Sequence, residues 1–199
     1  MALIGMILAL MLSDPAPQPA RPVRIEVAGF AFDPLGAEPA IPRSLRADPN
    51  AARGWWLVQL HSPPDRAARA ALTSRLMLSL RRYVPENAYL EWLDSARVPA
   101  LRADPRVRAV VAFHPAYKLS PALRARITGS ADVVVDATID PGDDAVARLH
   151  AAGAENVTAY RGRYRLRIAA GRLPEIARID AVRWIEPPPR PDEDEPRQD

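Results

Sequence analysis

Residues 88–93, Ala-Tyr-Leu-Glu-Trp-Leu, and residues 163–168, Arg-Tyr-Arg-Leu-Arg-Ile, stand about 75 positions apart, and their correspondence decides the fold. At that offset, with no gap, Tyr89 falls on Tyr164, Val58 on Val133, and Val107-Arg108 on Val182-Arg183. Arg97 and Pro99 fall on Arg172 and Pro174. The second half of the chain therefore repeats the first.

Each copy reads as strand–helix–strand–strand–helix–strand. In the first, residues 55–60 form a buried strand, and Asp65 caps a helix running to about residue 78. Strands follow at 79–84 and 88–93 around a Pro85-Glu86-Asn87 turn. A short helix from Ser95 and a strand at 107–113 complete it. In the second, strands are expected at 132–138, 156–160, 163–168 and 182–185, and the run Val133-Val134-Val135 suits a buried position. Pro141 sits in the first turn of one helix, Gly153 terminates that helix, Arg161-Gly162 turns a hairpin, and a second helix covers 170–179. The fold class is α+β, two tandem ferredoxin-like βαββαβ modules with antiparallel sheets. Both helices of such a module lie on one sheet face. The other face must be solvated, packed on its twin, or used to hold a partner.

Around the repeats the chain divides further. Residues 1–12 are an apolar run too short to span a bilayer but of the length of a signal-peptide core, so residues 1–20 are expected to direct export, to a secreted or envelope location. No Lys or Arg precedes the run. Residues 21–54 read as a proline-rich arm with a short strand at 23–27, which Phe30 and Phe32 pin to the first module. The modules occupy 55–115 and 131–188, with a linker at 116–130, and residues 189–199 form an acidic tail.

The totals bound the chemistry. The 199 residues suit two small modules, each of a size at which a single core is only marginally stable. The net charge of +3 averages unlike parts: without residues 190–199, with their five acids and two bases, the body stands near +6. A basic body suits solubility or an acidic partner. There is no cysteine, so disulfides, thiolate metal sites and cysteine nucleophiles are excluded. No serine lies in Gly-x-Ser-x-Gly, and His61, His114 and His150 have no carboxylate or i, i+4 partner in metal-ligand spacing. We expect neither catalysis nor a cofactor or metal.

Two constellations remain as binding candidates. Arg161, Arg163, Arg165 and Arg167 alternate along one strand and share one sheet face. The stretch resembles the RNA-binding signature of an RRM third strand, but residues 132–138 lack the aromatics on which bases stack, so no nucleic-acid partner is expected. In the first module, Leu90 and Trp92 share a face opposite Tyr89, Glu91 and Leu93. They either anchor a partner on the open face or pack against the second module. Glu91 aligns with core-like Leu166, and a buried Glu must be paired or sit at a rim.

Trp56-Leu57-Val58-Gln59-Leu60, the run Tyr83-Val84-Pro85-Glu86-Asn87-Ala88-Tyr89-Leu90, residues 107–113, and His114-Pro115-Ala116-Tyr117-Lys118-Leu119-Ser120-Pro121 together resemble a family segment. It is the amino-terminal region of bacterial subtilisin-like (S8) serine proteases, where two modules similar to the inhibitor I9 prodomain precede the catalytic domain. Val182-Arg183-Trp184-Ile185-Glu186-Pro187 resembles the closing strand of such a module. The resemblance covers residues 55–188. It implies an intramolecular chaperone and inhibitor, docking its open sheet face on the protease, with the following segment in the cleft like a product. Carried over, the protease-binding residues are Leu90, Trp92, Arg163, Arg165, Glu186, Pro187, Pro188 and Pro189, and the partner is a subtilisin-like protease domain in cis or in trans. In the family a catalytic domain with Asp, His and Ser motifs follows. Here the expectation is either the non-catalytic part of a precursor or a free-standing inhibitor. Three successive prolines fix the backbone and remove N–H donors, which disfavours autoprocessing at that place. The alternatives are a non-inhibitory protein-interaction module and a basic single-stranded nucleic-acid-binding protein.

Overall fold

The computed structural model describes residues 23–140, 142 and 144–189. The expected leader, Pro141 and the acidic tail from residue 190 onward lie outside the described residues. Two four-stranded antiparallel sheets carry the repeat. The first holds β3 (Arg53–Leu60), β4 (Tyr83–Val84), β5 (Ala88–Asp94) and β6 (Val107–Ala112), in the order β4-β5-β3-β6. The second holds β7 (Asp132–Ile139), β8 (Glu155–Tyr160), β9 (Arg163–Ala169) and β10 (Val182–Glu186), in the order β8-β9-β7-β10. Both orders are 2-3-1-4, as a ferredoxin-like module requires, with helices between the first and second and the third and fourth strands. These are α1 (Arg66–Leu76) and α2 (Val98–Arg102) in one copy, α4 (Ala145–Ala151) and α5 (Leu173–Ala177) in the other. Among the described residues no helix is long and apolar enough to cross a membrane.

Local signals act where the residues place them. Asp65 accepts the Ala68 N–H at 2.7 Å and starts α1. Met77, at φ 51°, ends it. Gly153, at φ 88°, ends α4, and the following Ala154 N–H bonds back to the Leu149 carbonyl. Arg161 and Gly162 both have positive φ, the geometry of a two-residue type I′ hairpin turn.

Two expectations change. The second strand of the first module shrinks from residues 79–84 to Tyr83–Val84 because a carboxylate takes the place of ladder partners. Glu91, only 3% exposed, accepts the Ser79 and Leu80 N–H groups at 2.8 and 2.6 Å and the Ser79 hydroxyl. The buried Glu is thus paired, at the position where the second copy has Leu166. The second change concerns Val133-Val134-Val135. Val133 and Val135 are buried, but Val134 is 46% exposed, since alternate residues of β7 face opposite ways.

The two modules are joined by more than a linker. The arm forms a hairpin of β1 (Ile25–Val27) and β2 (Phe30–Phe32). Phe30 and Phe32 pack on Tyr117, with ring centroids 5.2 and 5.9 Å apart. Arg124, at the end of α3 (Pro121–Arg124), lies 4.2 Å over the Phe30 ring. The segment expected as linker begins inside the protein: Ala116, Tyr117, Lys118 and Leu119 are all buried, while most of residues 121–130 are exposed. One apolar cluster runs from Leu57 and Ala88 of the first sheet, through Ile25, Phe32, Tyr117 and Leu119, to Val135, Leu149, Leu166 and Ile176 inside the second module. A separate cluster of Val58, Leu72, Tyr89, Leu101 and Val110 lies between the first sheet and its own helices.

The first sheet is therefore covered on both faces. Its side away from α1 and α2 meets the arm, residues 113–119 and the second module. The core of the second module thus extends across the junction to the first sheet, while the first module keeps its own separate core.

Candidate protein-binding face

The second sheet is different. On β7, β9 and β10, Val135, Leu166 and Ile185 point inward to α4 and α5 and are buried. The alternate residues face away from the helices. Register fixes which of them meet: Asp136 pairs with both Arg165 and Glu186, Thr138 with Trp184, Val134 with Arg167, and Tyr160 with Arg163. Directly opposed residues of antiparallel strands share a face, so these side chains form one surface.

That surface is a lattice of alternating charge. Arg165 holds Asp136 with two parallel bonds, Nε to Oδ1 at 2.7 Å and Nη2 to Oδ2 at 2.8 Å. Asp136 is 2% exposed, so this fork is what allows a carboxylate to be buried on the sheet. The Arg165 guanidinium also lies 4.4 Å over the Tyr160 ring. Arg163 pairs with Glu186, and the Trp184 indole N–H donates to the other Glu186 oxygen at 2.8 Å. Arg167 binds Glu155 at 2.5 Å, which raises the guanidinium's pKa above its ordinary value. Tyr160, Trp184 and Val134 supply apolar area between the charges. A surface of paired charges with aromatic inserts has the composition of a protein-binding patch more than of a phosphate-backbone groove, which needs cations in excess.

The structure brings some of the expected site residues together and separates others. Arg163, Arg165 and Glu186 meet on the face of the second sheet that no described residue covers, its uncovered face. Pro187, Pro188 and Pro189 follow Glu186 directly; Pro187 and Pro189 are exposed and Pro188 is half-buried. Leu90 and Trp92 lie elsewhere, on the covered face of the first sheet. Leu90 is half-buried against the shared core. Trp92 packs on Trp55 with centroids 5.2 Å apart, and the Trp55 indole donates to the Asp180 carbonyl of the second module. Of the two readings open for this pair, the geometry is that of packing between modules.

That junction also has its own charges. Asp140 accepts from Arg82 at 2.8 Å and from Arg183 at 2.5 Å. Burial works to raise the Asp140 pKa, but the two arginines outweigh it and hold it below its usual value. Arg82 lies 4.4 Å over Trp55.

Asp136, Tyr160 and Trp184 were not singled out from sequence. A signal for Asp136 was present, since Asp132, Val134 and Asp136 alternate with the buried Val133, Val135 and Ala137. The placement of Trp184 depends on the register shift between Val182 and Trp184, which sequence does not announce.

Residues 26–114 are similar to a family model described as a domain of unknown function, DUF8729. The match begins in the β1–β2 hairpin and ends just past β6, so the arm and the first module fall within one unit, in keeping with their shared core. No curated protein and no solved structure matches the chain.

Proposed function

We propose that this chain is a prodomain-like inhibitor and folding assistant of a subtilisin-like serine protease. It grips the protease through the uncovered face of the second sheet and through residues 186–189, which enter the substrate cleft. The observation that carries this reading is an asymmetry: of two duplicated sheets one is covered on both faces, and the other has a face that no described residue covers, whose closing strand leads straight into the outgoing segment. Glu186 links the two parts, since it belongs to the face through Arg163 and Trp184 and immediately precedes Pro187.

The physics of such a grip is general. A partner that binds the folded protease and not its unfolded chain stabilises it by mass action. A preformed sheet can also template a parallel-sheet fold that forms slowly by itself. Pro187, Pro188 and Pro189 can accept backbone hydrogen bonds but not donate them, which favours a slowly cut, substrate-like segment over a good substrate.

The test is inhibition. Added in excess, the protein should slow peptide hydrolysis by a subtilisin, and removal of residues 186–199 should weaken that effect. A panel of S8 proteases that are all unaffected would overturn the proposal. The proline run also favours a second reading, a protein-interaction module whose tail is inert. Competition by a peptide of the tail separates the two, because it displaces an inhibitor and leaves an inert-tailed module bound.

A further inference from the structure

A cleft of about 1260 Å³ lies between the arm, the start of β3, the residues after β6 and the turn after α5. It shares no residue with the uncovered face of the second sheet. Its cationic lining is Arg43, Arg46, Arg53, Arg102, Arg178 and Lys118, against the three acids Glu38, Asp48 and Asp180.

None of the five arginines forms an ion pair among the described residues. The side chains of Arg46 and Arg102 donate only to the Ile41 and Val110 carbonyls. The side chains of Arg43, Arg53 and Arg178 make no hydrogen bond among the described residues. On the second sheet, by contrast, Arg163, Arg165 and Arg167 each meet a carboxylate. Gathering unpaired guanidinium groups around one concave space raises its potential and its local anion concentration.

The second observation is Lys118. It is the single lysine among 27 basic residues, and it is 4% exposed in the cleft wall. Its ammonium has three donors, and one is used, on the Ile179 carbonyl at 2.9 Å. No carboxylate lies within ion-pair distance among the described residues: Asp140 is held by Arg82 and Arg183, and Asp180 lies 4.0 Å from Arg148. A buried charge ordinarily has a counter-ion in contact, and among the described residues no carboxylate touches this one, Asp180 and Asp140 acting on it only from a distance.

We infer that this cleft binds a small ligand carrying two or more oxyanion groups, with one seated toward Lys118 and the others held by the arginine forks at the rim. Guanidinium forks match carboxylate and phosphate alike, so the shared chemistry is a multivalent oxyanion.

Calorimetric titration of the full chain at low ionic strength, with tripolyphosphate in one series and citrate in another, tests this. Saturable 1:1 binding of either is expected, and the stronger one identifies phosphate or carboxylate as the natural group. Combining Arg53→Ala with Arg178→Ala should weaken binding by about tenfold or more, as loss of charge-assisted hydrogen bonds requires. Combining Arg66→Ala with Arg75→Ala, on α1 away from the cleft, should leave it within about twofold. Lys118→Met should also weaken it. Absence of saturable binding in both series, or an equal loss in the α1 pair, would overturn the inference.

Discussion

Lys118→Met should stabilise this protein at neutral pH, although it deletes a hydrogen bond. Burial penalises the ammonium and lowers its pKa from 10.5 to about 8, with the Asp180 charge partly opposing the shift. A difference of that size between folded and unfolded states corresponds to about 3 kcal/mol. Below pH 8 the lysine is charged in both states, and the folded state carries the whole desolvation cost. Between pH 8 and 10.5 the unfolded chain binds the proton and the folded chain has released it, so stability rises with pH. From pH 7 to 9.5 the rise amounts to about 2 kcal/mol. Tyr117 limits the window. Burial pushes its phenol well above 10, so above pH 10 the unfolded chain ionises first and stability falls again. Methionine fills similar space without charge, and the Ile179 carbonyl keeps its bond from the Val182 N–H at 3.0 Å. Urea unfolding in buffers free of phosphate and citrate reads the effect directly. The variant should exceed the parent by about 1–3 kcal/mol at pH 7, and its pH 7–9.5 slope should flatten. A variant less stable than the parent, with the slope intact, would refute the reasoning.

Substitutions at three further positions test the framework by chemical denaturation. Glu91→Ala leaves the Ser79 N–H and the buried Leu80 N–H without an acceptor and should cost about 2–4 kcal/mol, whereas Glu91→Gln keeps an acceptor and should cost less. Trp55→Ala removes the tilted ring contact with Trp92, the seat of Arg82 and the bond to Asp180; a loss of about 3 kcal/mol is expected, together with faster proteolytic cleavage between the modules. Gly153→Ala forces a side chain at φ 88°, where its Cβ would also displace the Arg172 guanidinium, and should cost about 1 kcal/mol.

The duplication was readable from the third and fourth strands, where the 75-residue offset holds: Tyr89 and Tyr164 occupy the same place, as do Val110 and Ile185. It fails in the first strand. Val58 meets Tyr89 and Val110, and the residue that meets Tyr164 and Ile185 is Ala137, so the gapless match of Val58 with Val133 is off by four residues. Caps and turns were equally legible at Asp65, Gly153 and Arg161-Gly162, where the residue type itself dictates the backbone. What sequence could not show was which sheet face the rest of the chain would cover. The sequence makes Phe30 and Phe32 pins on the first module, and their seat is Tyr117, in a stretch expected to be linker. Leu90 and Trp92 carry the pattern of an exposed anchor, but the shared core packs on Leu90, and Trp92 packs on Trp55, which is tied to the second module through Asp180. The arginine stripe was legible as a face, but not its neutralisation, since Asp136, Glu155 and Glu186 meet it through pairing across strands rather than through spacing along one. Lys118 gave no local signal at all: its burial is a product of tertiary packing.

The central claim is that the uncovered second sheet, and not the first, holds the protease. Hydroxyl-radical footprinting of the full chain, alone and mixed with an inhibited subtilisin, tests it most directly. Oxidation of Trp184 and Tyr160 should fall sharply in the complex while Trp55 and Trp92 keep their rates. Unchanged labelling of Trp184 and Tyr160 in a mixture where the two proteins are demonstrably bound would contradict it.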